Sequence, residues 1–205
     1  MSNPIKAIIF DVGGVLIRTQ DQSGRRYWEE LLGLPAGGAE AVVLNSAMGH
    51  RAQRGEITTE QLWTWVGEYL NLGQDLAAFR YDFWRGDFLD TELLALIRDL
   101  RSRYQLGIIS NANDSLLETL DTFGLSADFD LIIGSAYEGI MKPDRAIFEK
   151  ALHRLGCLPQ ESVFIDDAYA NVAAARLIGM NAVHFSPELD LRSELSALGV
   201  QMNID

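Results

Sequence analysis

Asp11 closes the apolar run Ile8-Ile9-Phe10 and is followed at once by Val12, Gly13 and Gly14. Similar placements recur along the chain: Ser110-Asn111 after the run from Gln105 to Ile109, Lys142 within YEGIMKPD, and Asp166-Asp167 after Ser162 to Ile165. Three carboxylates, one ammonium and one hydroxyl at such positions point to a definite chemistry. Clustered carboxylates repel one another unless a cation relieves them, and hard oxygen ligands select Mg²⁺. With metal present, a phosphate dianion can enter an acidic site. Its oxygens would be held by the cation, by Lys142, by the Ser110 hydroxyl and by backbone N–H groups of the glycine loop and of Asn111. Asp11 would then attack phosphorus and form an aspartyl phosphate. Each residue alone has an ordinary explanation as a helix cap, a turn or a surface loop. Their joint order, with the acids and Ser110-Asn111 at the ends of apolar runs and Lys142 following the third, favours function.

The elements that must carry these residues follow from the hydrophobic pattern. Strand-length apolar runs occur at Ile5 to Phe10, Gln105 to Ile109, Asp130 to Ile133, Ser162 to Ile165 and Asn181 to Phe185, mostly separated by amphipathic segments of helical length. Continuous apolar runs suit strands buried on both faces, and the alternation predicts an α/β fold with a parallel sheet. Ligands of such sheets bind beyond the carboxyl ends of the strands, where the candidate residues stand. Leu93, Leu96, Ile97 and Leu100 recur at helical spacing, as do Ile147, Phe148, Ala151, Leu152 and Leu155, with Gly156 where that helix should stop.

Arg18 to Gly86 breaks this rhythm. It shows no convincing strand, but carries helical stripes at Tyr27, Trp28, Leu31 and Leu32, at Leu62, Trp65, Val66, Tyr69 and Leu70, and at Leu76, Phe79 and Phe83. The expected organisation is a core built from residues 1–17 and 87–205 with an all-helical insertion over 18–86. Thr58 or Thr59 should cap the second of these helices with help from Gln61. All four tryptophans fall in this segment, and Trp63 lies off the main stripe. A small helical core accounts for them.

At 205 residues and 48% hydrophobic, the chain can bury a substantial core. A formal net charge of −12 makes nucleic acid and anionic membranes poor partners. Cys157, the single cysteine, excludes an intrachain disulfide and lacks any partner motif for nucleophilic work. The start MSNPIKAIIF has an apolar run too short for a signal peptide core or a membrane span, so a cytoplasmic protein is expected, monomeric or homodimeric. No histidine or cysteine spacing suggests zinc. His184 in an apolar strand reads as structural. The cluster of His50, Arg51 and Arg54 reads first as a solvated face, and second as a set of cations for an anionic substrate.

These motifs resemble the haloacid dehalogenase-like hydrolases along the full chain. FDVGGVL matches the family's first motif with Asp11 as nucleophile, IISN the second with Ser110 and Asn111, MKPD the lysine motif with Lys142, and FIDDAYANVAAARLIGM the fourth with Asp166, Asp167 and Asn171. The resemblance implies a Rossmann-like core with a helical cap that closes over a small phosphorylated substrate. It further implies Mg²⁺ held by the Asp11 carboxylate, by the Gly13 carbonyl and by Asp167, with Asp166 acting through water. Asn171, at i+4 from Asp167, is expected to orient that carboxylate.

The departure is Gly13, where the family's phosphatases usually carry a second aspartate that protonates the leaving group. A positioned acid contributes roughly 10² to 10⁴ in rate. Substrates whose leaving group needs little protonation, such as sugar-1-phosphates, acyl phosphates or aryl phosphates, should suffer least. Gly13 also admits two alternatives, a metal-free dehalogenase and a non-catalytic phosphate-binding or interaction protein. The Asp166-Asp167 pair argues against the first.

Overall fold

A computed structural model describes residues 4–202. Five parallel strands form the central sheet: β1 (Ala7–Phe10), β4 (Gln105–Ser110), β5 (Leu131–Gly134), β6 (Ser162–Asp166) and β7 (Asn181–His184). Their order is β5-β4-β1-β6-β7, all in parallel register. All four residues of β1 are fully buried, because alternate side chains enter two different cores. Ile8 and Phe10 join Leu106, Ile108, Val163 and Ile165 under the helices α6 (Thr91–Leu100), α7 (Leu116–Thr122) and α11 (Leu191–Ala197). Ala7 and Ile9 join Ile109, Ile133 and Phe164 under α9 (Arg145–Leu155) and α10 (Tyr169–Leu177). Helices thus cover both faces, as a parallel sheet requires.

Helix boundaries follow local chemistry. Asp90 caps α6 by accepting from Leu93 N at 2.9 Å, Asp144 caps α9 through Ala146 N at 2.9 Å, and Gly156 ends α9 in the left-handed region at φ 64°.

Between β1 and α6 lie five helices, α1 (Ser23–Leu32), α2 (Gly38–Val43), α3 (Ala47–Gln53), α4 (Thr59–Tyr69) and α5 (Leu76–Trp84), with their own apolar cluster. Thr58 and Gln61 cap α4 reciprocally, at 3.2 and 2.9 Å. The segment is bracketed by a two-stranded antiparallel ribbon, β2 (Ile17–Thr19) with β3 (Asp87–Leu89). Arg18 and Thr19, expected to begin a strandless stretch, therefore belong to a strand. Three-residue strands are too short to show periodicity.

The stripes also need correcting. Tyr27, Leu31 and Tyr69 are exposed, whereas Trp63 is buried against Phe79 and Phe83. Trp65 is only partly buried and stacks on Tyr69. α1 instead buries Arg25, whose guanidinium bonds the Phe83 carbonyl at 3.0 Å and Glu40 at 3.0 Å. Charged side chains with such partners occupy positions that a hydrophobic pattern assigns elsewhere. The buried Cys157 thiol packs in the second core and has its pKa raised, chiefly by burial, which disfavours the thiolate form. No helix among the described residues is long and apolar enough to cross a membrane.

Candidate active site

The order of the sheet explains where the site forms. From β1 the chain proceeds outward through β4 and β5, then returns to the other side of β1 for β6 and β7. The crevice beyond the carboxyl ends at this reversal is where α/β folds bind ligands. Phe10 pairs with Ile165, and Asp11 N–H donates to the Ile165 carbonyl at 2.9 Å, so Asp11 and Asp166 emerge side by side. Ser110 closes β4 on the opposite flank of β1.

Lys142 arrives from the loop after α8 (Ser135–Glu138). Its backbone is clamped at two points by the Asn111 amide, which donates to the Lys142 carbonyl at 2.9 Å and accepts from Lys142 N–H at 2.7 Å. The fully buried ammonium then lies 2.8 Å from Asp11 Oδ1 and 2.7 Å from Asp166 Oδ2. Asn111 thus acts by holding the lysine loop, a role the dipeptide Ser110-Asn111 alone does not disclose.

Asp166 is wholly buried and fully engaged. Besides Lys142, it accepts from Ala168 N–H at 2.8 Å and from Asn171 Nδ2 at 3.1 and 3.0 Å. Asn171 therefore orients Asp166, and the expectation that it would hold Asp167 is corrected. Asp166 ends the strand with its side chain inward, where the first turn of α10 can reach it. Asp167 lies outside, its carboxyl directly against Gly14, where an added Cβ would come within 2.1 Å of Oδ2. His184, exposed as the last residue of β7, holds the Asp167 carbonyl through Nε2 at 2.8 Å.

The electrostatics are those of crowded acids. Burial pushes the Asp11 carboxyl up to about 6, against the pull of Lys142 and with a further push from Asp166. The Asp167 carboxyl is also raised, by desolvation first and by Asp166 second. One oxygen from each of Asp11, Asp166 and Asp167 lies within 4.8 Å of the other two. A single ammonium faces three carboxylates, and a divalent cation would complete the balance.

A cavity of about 580 Å³ opens beyond these residues toward α2, α3, α4 and α5, with Asp11, Gly13, Ser110, Asn111 and Lys142 at one end. Two contacts hold the helical segment over it: Ser135 Oγ donates to the Gln53 carbonyl at 2.6 Å, and Thr59 N–H donates to Asp114 at 3.0 Å. Among the described residues lining the cavity are Arg80 and Gln53 but not His50, Arg51 or Arg54. Arg51 and Arg54 pair with Glu56 at 3.2 and 2.6 Å, which makes them the solvated face. Arg80, Gln53 and Thr59 had no motif to announce them, since only tertiary packing brings them to the site.

Comparison with known proteins agrees with this geometry. The family model for haloacid dehalogenase-like hydrolases matches residues 5–179. The sesquiterpene phosphatase astK of Aspergillus oryzae is 27% identical over 202 residues, covering 97% of this chain and 98% of its own. Two further curated relatives are longer proteins, of which the chain spans 20% and 36%, and a glyceraldehyde 3-phosphate phosphatase of Methanothermobacter thermautotrophicus matches over 44% of this chain and 42% of its own. Among solved structures, a predicted HAD-like family hydrolase from Porphyromonas gingivalis is 25% identical with a TM-score of 0.76, covering 98% of this chain and 100% of its own. A HAD family enzyme from Bacteroides thetaiotaomicron, in complex with magnesium and inorganic phosphate, shares the fold with a TM-score of 0.78 at 21% identity, over 93% of this chain and 98% of its own. With a family model spanning most of its length and the family's motif residues gathered at one sheet edge, the chain belongs to the haloacid dehalogenase-like hydrolases.

Proposed function

We propose that this hydrolase is a Mg²⁺-dependent phosphatase acting on a small phosphorylated metabolite, with residues 18–86 as its cap over a core of 1–17 and 87–205. The observation that carries the reading is the group of three carboxylates around one buried lysine. It is supported by the relative named as a phosphatase over nearly its whole length. The donor set fits Mg²⁺: hard oxygens, close together, with the Asp11 and Asp167 carboxyls raised by burial first and by the Asp166 charge after it. Asp11, Asp167 and the Gly13 carbonyl would hold the cation, with Asp166 acting through water. When bound, it supplies neutralising charge for the phosphoryl oxygens.

The chain's own groups do the rest. Val12 N–H and Lys142 fix Asp11 Oδ1 at 2.7 and 2.8 Å, leaving Oδ2 to attack phosphorus. As the Asp11–phosphorus bond forms, the bond to the ester oxygen breaks and the alkoxide leaves. Water then hydrolyses the aspartyl phosphate, releasing inorganic phosphate and restoring Asp11. Ser110, the Asn111 N–H and Lys142 bind the phosphoryl oxygens, and Asn171 keeps Asp166 in place for Lys142. Without an acid at Gly13 the alkoxide takes its proton from solvent, so rates should fall steeply as leaving-group pKa rises.

The test is phosphate release from p-nitrophenyl phosphate. Release that depends on Mg²⁺ and disappears in Asp11→Asn is the expected result, while release unaffected by either change would discard the reading.

A further inference from the structure

We infer that the alcohol part of the substrate is apolar, so that the site takes the monophosphate of a hydrocarbon-rich alcohol or phenol rather than of a sugar. The phosphate end of this inference rests on the phosphatase reading above, and the other end rests on the cavity alone. Away from Asp11 and Lys142, the wall is formed largely by Val43, Leu44, Leu62, Trp63, Leu116 and Phe123.

Most polar side chains of this wall are already engaged within the protein, the exposed Glu118 carboxylate at its rim being an exception. Gln53 Nε2 donates to the Leu44 carbonyl at 2.8 Å, and Thr59 Oγ1 donates to Asp114. Thr119 and Thr122 donate back to the carbonyls one turn earlier, at 3.1 and 2.8 Å. Arg80 pairs with Glu60 at 2.8 Å and lies over the Trp63 ring. A sugar entering here would lose water from each hydroxyl and find few free donors and acceptors to replace it, which is a ground for rejection. A hydrocarbon of the same size loses nothing and buries its surface. The volume of about 580 Å³ also exceeds what a phosphate alone needs and falls within the range of sites for organic ligands.

A series of para-alkylphenyl phosphates isolates this property, because the leaving-group pKa is nearly constant while the chain grows. With Mg²⁺ present, kcat/KM should rise by up to about fourfold per methylene, giving tenfold or more between ethyl and hexyl. Glucose 1-phosphate should be a poorer substrate than either. Leu62→Asn should reduce the hexyl-to-ethyl ratio at least threefold. Trp84→Gln tests the same wall at a more exposed position than Leu62, and should reduce it less.

Binding of ethyl- and hexylphosphonate, followed by the fluorescence of Trp63 and Trp84, supplies a second readout that needs no turnover. Chain-length-dependent binding without phosphate release would sink the phosphatase reading and leave this inference standing. Turnover with equal rates for ethyl and hexyl esters, or a preference for glucose 1-phosphate, would overturn the inference and leave the phosphatase reading intact.

Discussion

Gly13 and Gly14 are neighbours with opposite constraints. Gly14 sits at φ +78° with the Asp167 carboxyl where its Cβ would be, so it is glycine for two independent reasons. Gly13 is exposed, has no positive φ, and a Cβ there would meet nothing within 4 Å. Its lack of a side chain is not imposed by space. Gly13→Asp should therefore fold normally, and as a restored acid should raise turnover of alkyl phosphates by about 10² or more while changing p-nitrophenyl phosphate hydrolysis little. A steady-state comparison of the two substrates checks this, and equal effects on both would show that the added carboxyl does not act as an acid. Gly14→Ala should leave the fold intact but displace Asp167, weakening Mg²⁺ binding by about tenfold or more. Calorimetric titration measures it.

Asp11, Ser110 and Asp166 were legible because each ends a strand-length run, and Lys142 because it follows the third such run in the segment YEGIMKPD. The partners were not: Asn171 reaches Asp166 rather than Asp167 because strand pleat and helix phase decide the direction, and neither is visible in spacing alone.

The elements of the core were legible for a related reason. A strand buried on both faces and a helix buried on one leave distinct patterns, so the five parallel strands and helices such as α6 and α9 could be read directly. α2 and α3 span six and seven residues, too short to show a period, and their absence from the sequence reading hid one side of the cavity. Trp65 and Tyr69 completed a stripe in projection, yet α4 turns its Thr59, Leu62, Trp63 and Val66 face inward.

One link between elements gives a quantitative expectation. Glu138, at the end of α8, binds Lys150 at 2.9 Å and Arg154 at 2.6 Å on α9, and these bonds, Arg154 first, hold its carboxyl below the ordinary 4.5. A depressed acid contributes stability that is present above pH 4.5 and lost as pH falls through the folded-state value. Both cations are over one-third exposed, so the contribution is no more than about 1 kcal/mol. Glu138→Gln should lower stability by that order at pH 7, and the difference should shrink once the pH is taken below 4.5 and through the folded-state value. Urea melts at pH 7 and in that acid range test it.

At the scale of the molecule, a net charge of −12 surrounds a site that must admit a phosphate dianion. Long-range repulsion of this kind is screened as the Debye length falls from about 30 Å at 0.01 M salt to about 8 Å at 0.15 M. KM for a phosphate ester should therefore fall about twofold or more over this range at fixed Mg²⁺, with kcat little changed. Initial-rate measurements in a salt series decide the matter, and a rising KM would mean that local cations govern entry. The charge was legible at once in the composition. The cavity was not, because its two walls come from segments that only the closed arrangement of the chain brings together.

The central position of β1 has a consequence for synthesis. Ala7–Phe10 leaves the ribosome first, yet its two partners begin only at Gln105 and Ser162. At about 5 to 20 residues per second, the most apolar strand of the sheet waits for several seconds with both edges open before its first neighbour is made. During that interval the helical segment can emerge and pack, while the strand that will bear Asp11 depends on shielding by other means. A nascent chain stalled before Gln105 is accordingly the form of this protein most exposed to aggregation and most in need of a chaperone.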